Sequence, residues 1–320
     1  MASPRDSGTT EDSGTTEDSG IIEQRVTIIV ITHDRREELA RTLKRLAALP
    51  NGPRVIVVDN GSGDGTAEFV RREHPEMTLI AADRNLGAVG RNLAVRLVRT
   101  PYIAFCDDDT WWEPGALTRA ADLLDAHEKV AAITGRILVE SEGCDDPIVA
   151  ELRDSPIPIP SGVRLPGPAL GSILAGASVL RTSAFRQAGG FNPRLWLGGE
   201  EELLAMDLAA HGWWLCYVPE VLVHHEPSAR RESRVRRRDG IRNALWTTWL
   251  RRPLASALRR TAWLAGSIPR DKTSAEAILH ALRGLPWVLK ERRVVPGMVE
   301  ENLRLLEAPQ RKSTARRYVG

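Results

Sequence analysis

Short apolar runs alternate with segments of helical periodicity along the first 130 residues of the chain. The runs are rich in β-branched side chains and have the length of buried strands. They span residues 26–31, 54–58, 77–81 and 102–106. Segments with one apolar face, typical of helices, lie at residues 36–49, 89–98 and 115–126. Short connections between alternating strands and helices predict an α/β fold with a mostly parallel central sheet flanked by helices.

The second half of the chain has a different pattern. Its proline-rich stretch 153–168 predicts a loop over the site rather than regular structure. Further on, we expect a strand and a short helix within 176–190 and a helix from about 200 to 211. A last strand at 214–218 leads through Pro219 to residues 221–225. The remaining predicted elements are helices, at residues 239–250, 254–264, 275–290 and 296–307.

Polar residues cluster where the predicted strands end. The clusters are Thr32-His33-Asp34, Asp59-Asn60-Gly61, Arg84-Asn85 and Asp107-Asp108-Asp109. In parallel sheets ligands bind beyond the carboxyl ends of the strands, so one mouth is expected to collect all four clusters.

Three consecutive carboxylates repel one another unless a cation relieves the repulsion, and Mg²⁺ and Mn²⁺ take such oxygen ligands. Continued strand alternation would put Asp107 and Asp109 on one side and Asp108 on the other. The alternative is an acidic turn or helix cap before Trp111.

Composition and charge divide the chain further. Residues 1–22, which repeat Ser-Gly-Thr-Thr-Glu-Asp, predict a disordered tail without the apolar core of a signal peptide. Residues 23–228 form the predicted α/β domain, and 229–320 a basic helical extension. Residues 230–260 contain eleven arginines but two acidic residues. This excess of positive charge suggests a phosphate-rich partner, or else a charged face exposed to solvent. Three scattered cysteines and no membrane-length apolar run favour a cytoplasmic protein.

Several motifs together resemble glycosyltransferase family 2, whose members are inverting nucleotide-sugar enzymes on the fold called GT-A. The matching segments are Val30-Ile31-Thr32-His33-Asp34-Arg35, Val57-Val58-Asp59-Asn60-Gly61-Ser62, Arg84-Asn85-Leu86-Gly87 with Gly90-Arg91-Asn92, and Phe105-Cys106-Asp107-Asp108-Asp109. The similarity resumes at Gly189-Gly190-Phe191, Gly199-Glu200-Glu201 and Val223-His224-His225. The family more often has Thr-Tyr-Asn-Arg where this chain has Thr32-His33-Asp34-Arg35.

The resemblance implies a donor site for a nucleotide diphosphate sugar. The Asp59 carboxylate would accept a hydrogen bond from the imide N–H of uracil or thymine, which favours UDP- or dTDP-type donors. The other residues expected around the nucleotide are Thr32, Asp34, Arg35, Asn85, Gly87, Asn92, Asp107 and Asp108. Donor choice would rest on side chains around the sugar ring, from segments such as residues 170–177.

The resemblance also implies a bound Mn²⁺ or Mg²⁺. Asp109 would ligate the ion that bridges the diphosphate. Asp107 would face either the metal or the ribose. Either His224 or His225 would complete the metal shell or contact the diphosphate. The ion would offset charge developing on the departing nucleotide diphosphate.

Inversion requires a base that accepts the proton of the acceptor hydroxyl. The family usually places a Glu-Asp pair after glycine at a helix start, and this chain has Glu200-Glu201 there. By alignment Glu201 would be the base and Glu200 would position the acceptor, with the choice between them open. The helix N-terminus favours the anions, so burial must raise their pKa values if the base is to work near neutrality.

Other functions remain open from sequence alone. They are a nucleotidyltransferase, a catalytically idle nucleotide-sugar-binding protein, and a nucleic-acid-binding role for the arginine-rich extension. For an enzyme with a lipid-linked acceptor, the extension would dock on an anionic membrane, at the inner face of the cell membrane. Leu245, Trp246, Trp249 and Leu250, flanked by Arg242, Arg251 and Arg252, would face the lipid. Alternatively, these tryptophans pack on the catalytic domain or on a second subunit.

Overall fold

A computed structural model describes residues 25–50, 52–140, 142–227 and 233–313. The predicted disordered tail, residues 1–22, lies outside the described residues. The strands are β1 (Val26–Thr32), β2 (Arg54–Asp59), β3 (Thr78–Ala81), β4 (Tyr102–Asp107), β5 (Thr110–Trp112), β6 (Val130–Val139), β7 (Cys144–Asp145), β8 (Ser178–Arg181) and β9 (Trp214–His225).

The helices alternate with these strands and then follow them. Those of the first 227 residues are α1 (Arg36–Ala47), α2 (Thr66–Glu73), α3 (Arg91–Val95), α4 (Ala116–Ala126), α5 (Ile148–Arg153), α6 (Thr182–Gln187) and α7 (Glu200–Ala210). The C-terminal helices are α8 (Ser233–Arg251), α9 (Leu254–Ser267), α10 (Lys272–Arg283), α11 (Leu285–Lys290) and α12 (Gly297–Lys312). Short 3₁₀ turns occupy Gly87–Gly90 and Ala175–Ala177.

One sheet runs through the described part of the chain in the order β3-β2-β1-β4-β8-β6-β9-β5, with β7 beside β6. The first four strands of this order are parallel, as the alternation of strands and helices predicts. Beyond them β8 is antiparallel to both β4 and β6, which makes the sheet as a whole mixed. The α/β prediction is confirmed, and the main apolar core lies between this sheet and its helices.

Strand β9 differs from its prediction, since it continues through Pro219. Its pairing with β6 jumps from Gly135–Val218 to Arg136–Leu222, so the exposed Pro219 sits in a bulge where its missing N–H breaks no ladder bond. A β-carbon on Gly135 would overlap the Val221 carbonyl, so the bulge depends on glycine at that position.

The C-terminal helices pack against α7 and the loop before it. The Asn243 side-chain amide, which is fully buried, donates to the Leu195 and Gly198 carbonyls at 2.6 Å each. Arg251 forms a two-pronged ion pair with Asp207 on α7, at 2.5 and 3.0 Å. The extension thereby fixes both ends of the acidic helix α7.

The prediction that Trp246 and Trp249 face a membrane is wrong. The Trp246 ring packs edge-on against Trp287 at 5.2 Å, and its indole N–H donates to the Ala281 carbonyl at 3.0 Å. The Trp249 indole donates to Thr261 at 3.0 Å. Both rings cover a small apolar cluster that includes the buried Leu250, so the alternative of packing on the protein itself is the one observed. In the described ranges no helix is long and apolar enough to cross a membrane.

Candidate active site

The carboxyl ends of β1, β2 and β4 meet at one edge of the sheet. Thr32 pairs in register with Asp59, and Ile31 pairs with Asp107. The polar clusters at these strand ends therefore converge, as the sequence predicts. The Thr32 hydroxyl is buried and has no hydrogen-bond partner among the described residues.

Asp59 and Asp34 lie on neighbouring loops that brace each other. Asp59 is 2% exposed and accepts hydrogen bonds from the Ser62 backbone N–H and hydroxyl, at 3.0 and 2.5 Å. Asp34 has a left-handed φ of +51° and accepts from the Gly63 N–H at 2.7 Å. These bonds fix both carboxylates at the mouth of the sheet.

The 85–90 loop lies beside this mouth, where the Asn60 side chain donates to the Gly87 carbonyl at 3.0 Å. The Asn85 side chain accepts from the Gly87 N–H at 2.8 Å, while the Trp196 indole donates to the Asn85 carbonyl at 3.2 Å. Gly87 has a positive φ, and a β-carbon there would overlap the Trp196 carbonyl. Gly87 is thus required by the close approach of Trp196, a residue that sequence analysis missed because it lies a hundred residues away on an irregular segment.

The Asn92 side chain is turned away from Asn85, Gly87 and Trp196. Its side-chain amide donates to the Phe191 carbonyl at 2.7 Å and accepts from the Phe191 N–H at 3.1 Å. The amide is occupied on both sides by backbone. The structure therefore gives Asn92 a role in joining α3 to the 190–191 turn, in place of the nucleotide contact that the sequence predicts.

Asp107 lies between Arg91 and the Ala175–Ala177 turn. The buried Arg91 pairs with the Asp107 carboxylate, and a β-carbon on Gly176 would come within 2.6 Å of its Oδ2. The Asp107 side chain is 43% exposed on its remaining side. Only glycine lets the turn approach this closely. The sequence analysis includes Arg91 in a matching motif and Gly176 in the 170–177 segment, but it pairs neither of them with Asp107.

Asp108 and Asp109 occupy the turn that leads into β5. A single Arg35 nitrogen, Nη1, lies 2.9 Å from Asp108 and 3.0 Å from Asp109. The predicted alternation of these side chains is wrong, because the strand ends at Asp107 and the chain turns there. Burial raises the pKa of Asp108 to about 7 and also raises that of Asp109, although Arg35 opposes both shifts.

The two histidines at the end of β9 have different surroundings. His224 stacks on Trp111 with 5.4 Å between ring centres, and its two nitrogens lie 2.5 Å from Glu113 and Glu140. His225 faces the site instead, with Nε2 at 3.9 Å from Asp109 Oδ1. The structure brings His225 to the acidic turn and engages His224 elsewhere.

The side chains around the acidic turn can be compared with those that the expected Mn²⁺ or Mg²⁺ requires as ligands. Among the described residues no group of three or more His, Cys, Asp and Glu is arranged to hold a metal ion. Asp109 and His225 nevertheless present a carboxylate oxygen and an imidazole nitrogen to one point. A Mn²⁺ or Mg²⁺ ion that takes its other ligands from substrate phosphates fits such a two-residue set.

Glu200 and Glu201 begin α7, directly after Gly199 with its left-handed φ of +82°. Glu200 is 5% exposed, and its Oε2 has no hydrogen-bond partner in the described part of the chain. Glu201 is partly exposed and its Oε1 accepts from the Ala175 N–H at 2.5 Å. Burial raises the pKa of both carboxyls, the charge of Glu200 raises that of Glu201 further, and Arg91 opposes the shift of each.

The described geometry combines the converging polar ends of β1, β2 and β4, an acidic turn and a second carboxylate pair of raised pKa. Residues 27–189, about half of the chain, match the family model described as glycosyl transferase family 2. The chain belongs to glycosyltransferase family 2. Its α/β architecture and its polar strand ends are those that the resemblance implies.

Two curated relatives from Mycobacterium tuberculosis are similar to this family member. An N-acetylglucosaminyl-diphospho-decaprenol L-rhamnosyltransferase is 26% identical over 242 residues, which cover 64% of this chain and 78% of the relative. A pre-mycofactocin glycosyltransferase is 29% identical over 216 residues, covering 63% of this chain and 42% of the relative. The chain is thus a glycosyltransferase.

Two solved structures share the fold. A mannosyltransferase from Pyrobaculum calidifontis, in complex with GDP-Man and Mn²⁺, superposes with a TM-score of 0.54 at 19% identity, over 89% of this chain and 86% of the other. GalNAc-T7 with UDP, GalNAc and Mn²⁺ gives 0.55 at 14% identity, over 84% and 56%. These likenesses confirm the GT-A fold.

Proposed function

We propose that the protein transfers a sugar, with inversion, from a nucleotide diphosphate donor to an acceptor hydroxyl. The observation that carries this proposal is the Ala175–Ala177 turn, because Glu201 binds one residue of it and Asp107 abuts the next. A base and a donor-side carboxylate are thereby held on one rigid support. Inverting transfer requires these two groups on opposite faces of one reacting carbon.

Glu201 is the proposed base. Its raised pKa suits proton transfer near neutral pH, and its partial exposure leaves room for an acceptor hydroxyl. The Ala175 N–H orients one carboxylate oxygen, so the other is available to take the proton. Glu200, which is buried beside it, positions the acceptor and keeps the pKa of Glu201 high.

The donor's base lies against Asp59 in this proposal, with Thr32, Asp34 and Asn85 around the nucleoside. A carboxylate acceptor suits the imide N–H of uracil or thymine, which favours UDP- or dTDP-type donors. Asp109 and His225, with Asp107 nearby, would hold the Mn²⁺ or Mg²⁺ at the diphosphate. The ion would stabilise the charge that develops on the leaving nucleotide diphosphate.

The proposed acceptor is lipid-linked. The similar rhamnosyltransferase bears the name of a diphospho-decaprenol acceptor. Such an acceptor would place the enzyme at the inner face of the cell membrane, as a peripheral protein.

A panel of nucleotide sugars, screened for thermal stabilisation with Mn²⁺, would identify the donor. With that donor, Glu201→Gln is expected to keep nucleotide binding and to lose roughly 10²–10⁴-fold in transfer rate. If Glu200→Gln shows the large loss and Glu201→Gln does not, the order of the pair is reversed. Donor binding without hydrolysis or transfer to any acceptor would support a catalytically idle binding protein instead.

A further inference from the structure

A groove of about 340 Å³ lies between α8, α9 and α12, outside the catalytic residues described above. This volume is in the range of sites that hold small organic ligands. Its walls are largely apolar and include Ile241, Leu245, Trp263, Leu264 and Ile268. Leu254 and Leu258, 58% and 54% exposed, extend apolar surface along the same helix α9. An apolar chain is the kind of ligand that such walls favour.

Arginine adds an anion site to these apolar walls. Arg260 lines the groove together with Glu202 and Glu307, and its charge also acts on the Glu307 carboxylate. The Arg311 guanidinium lies 5.3 Å from the Trp263 ring centre and also faces the groove. The Glu307 carboxylate is matched by Arg252 at 2.6 Å, by Arg259 at 3.3 Å and by Arg311 at 3.4 Å, which leaves Arg260 as the groove arginine for a ligand's phosphate. A phosphate group would complement Arg260.

The groove leads toward the proposed base. Glu202, the neighbour of Glu201 on α7, lines it together with Arg260. A smaller adjoining cavity shares Glu202 and Arg260 and extends to Gly171 and Ser172. These two residues shortly precede the Ala175–Ala177 turn that holds Glu201. A phosphate at Arg260 would thus lie where the groove meets the cavity that extends to Gly171 and Ser172.

We infer that this groove binds the apolar chain of the acceptor, with the acceptor's phosphate at Arg260. The inference rests on the proposed transfer to a lipid-linked hydroxyl and names the residues that select the acceptor. It assigns the C-terminal extension a part in acceptor binding, in addition to its packing against α7. The occupant is one phosphate-bearing isoprenoid or acyl chain, not a bilayer surface.

The test is calorimetric binding of farnesyl diphosphate to the full-length protein in chelated buffer, where no divalent ion can recruit the diphosphate to Asp109. We expect farnesyl diphosphate to bind, farnesol to bind more weakly, and inorganic pyrophosphate to bind least. Arg260→Ala and Leu264→Gln should each weaken binding of farnesyl diphosphate by about tenfold or more. The matched controls Arg283→Ala and Leu282→Gln, both exposed on α10 and outside the groove lining, should bind normally.

Three outcomes would overturn the inference. They are no binding of farnesyl diphosphate, equal binding of pyrophosphate, and binding that neither groove variant weakens. Attachment to phosphatidylglycerol vesicles that Arg260→Ala reduces, without binding of farnesyl diphosphate, would indicate a membrane contact instead. Donor stabilisation with Mn²⁺, measured on the same variants, tests the proposed function separately, since the groove residues do not line the nucleotide mouth.

Discussion

Asp107 and Glu201 meet the same three-residue turn, although 94 positions separate them in the chain. The Ala175 N–H donates to Glu201 Oε1 at 2.5 Å, and Gly176 leaves just enough space for the Asp107 carboxylate. Arg91 pairs with Asp107 and stabilises the charge of both glutamates at the start of α7. The turn therefore couples the proposed donor side of the site to the proposed acceptor side, and a change in its shape would affect both.

Gly176→Ala is expected to reduce transfer without unfolding the protein. The new β-carbon would lie 2.6 Å from Asp107 Oδ2, and the partly exposed carboxylate can swing away from it. A displacement of about 1 Å in such a site can cost on the order of 10²-fold in rate. Gly297→Ala, where nothing lies within 4 Å of the new carbon, is the matched control. Equal kcat/KM for both variants, measured at unchanged melting temperature, would contradict the role of the turn.

The acid limb of the pH profile should lie near neutrality. Burial and the charge of Glu200 raise the pKa of Glu201, so kcat/KM is expected to fall as pH decreases through the neutral range and the base becomes protonated. Glu200→Gln removes the neighbouring negative charge and lowers the pKa of Glu201. Its acid limb should therefore move to lower pH. A limb that stays in place, or moves to higher pH, would show that Glu201 is not the titrating base.

The two histidines should differ in their effect on metal use. His225 lies 3.9 Å from Asp109, whereas both nitrogens of His224 contact glutamates. Asp109→Asn and His225→Ala are each expected to raise the Mn²⁺ concentration needed for thermal stabilisation by the donor. His224→Ala, the matched control, should leave that concentration nearly unchanged. Loss of metal-dependent stabilisation in His224→Ala alone would show that His224, and not His225, is the metal ligand.

The sequence predicts the parallel half of the sheet well and the other half poorly. Strands β1, β2 and β4 consist mainly of β-branched or large apolar residues, and their ends carry the polar clusters. Strand β6 is not predicted because Ala131, Ala132 and Gly135 give it a weak β-propensity, although it lies inside the sheet between β8 and β9. Its position is decided by pairing with β8 and β9, which are distant in sequence.

The residues of the candidate site likewise divide into those that the sequence predicts and those that it does not. Residues at strand ends, such as Asp59 and Asp107, could be predicted because sheet geometry alone brings them together. Trp196, Gly176 and Asn243 act through contacts with segments far along the chain, so no local pattern identifies them.

The aromatic face of α8 led to a wrong prediction for a related reason. Its composition suits a membrane interface as well as it suits an interior, and only the partner helices distinguish the two.

Gly284→Ala tests the packing that replaces the predicted membrane face. A β-carbon at Gly284 would overlap the rigid Trp246 ring, which is held by Trp287 and by the Ala281 carbonyl. Overpacking of this kind typically costs about 1–3 kcal/mol of unfolding free energy. The control is Gly266→Ala in α9, where the added carbon meets nothing within 4 Å and helix propensity favours alanine by roughly 0.5–1 kcal/mol. Chemical denaturation should therefore show the two variants shifting in opposite directions. Stabilisation by Gly284→Ala would mean that Trp246 does not occupy this position.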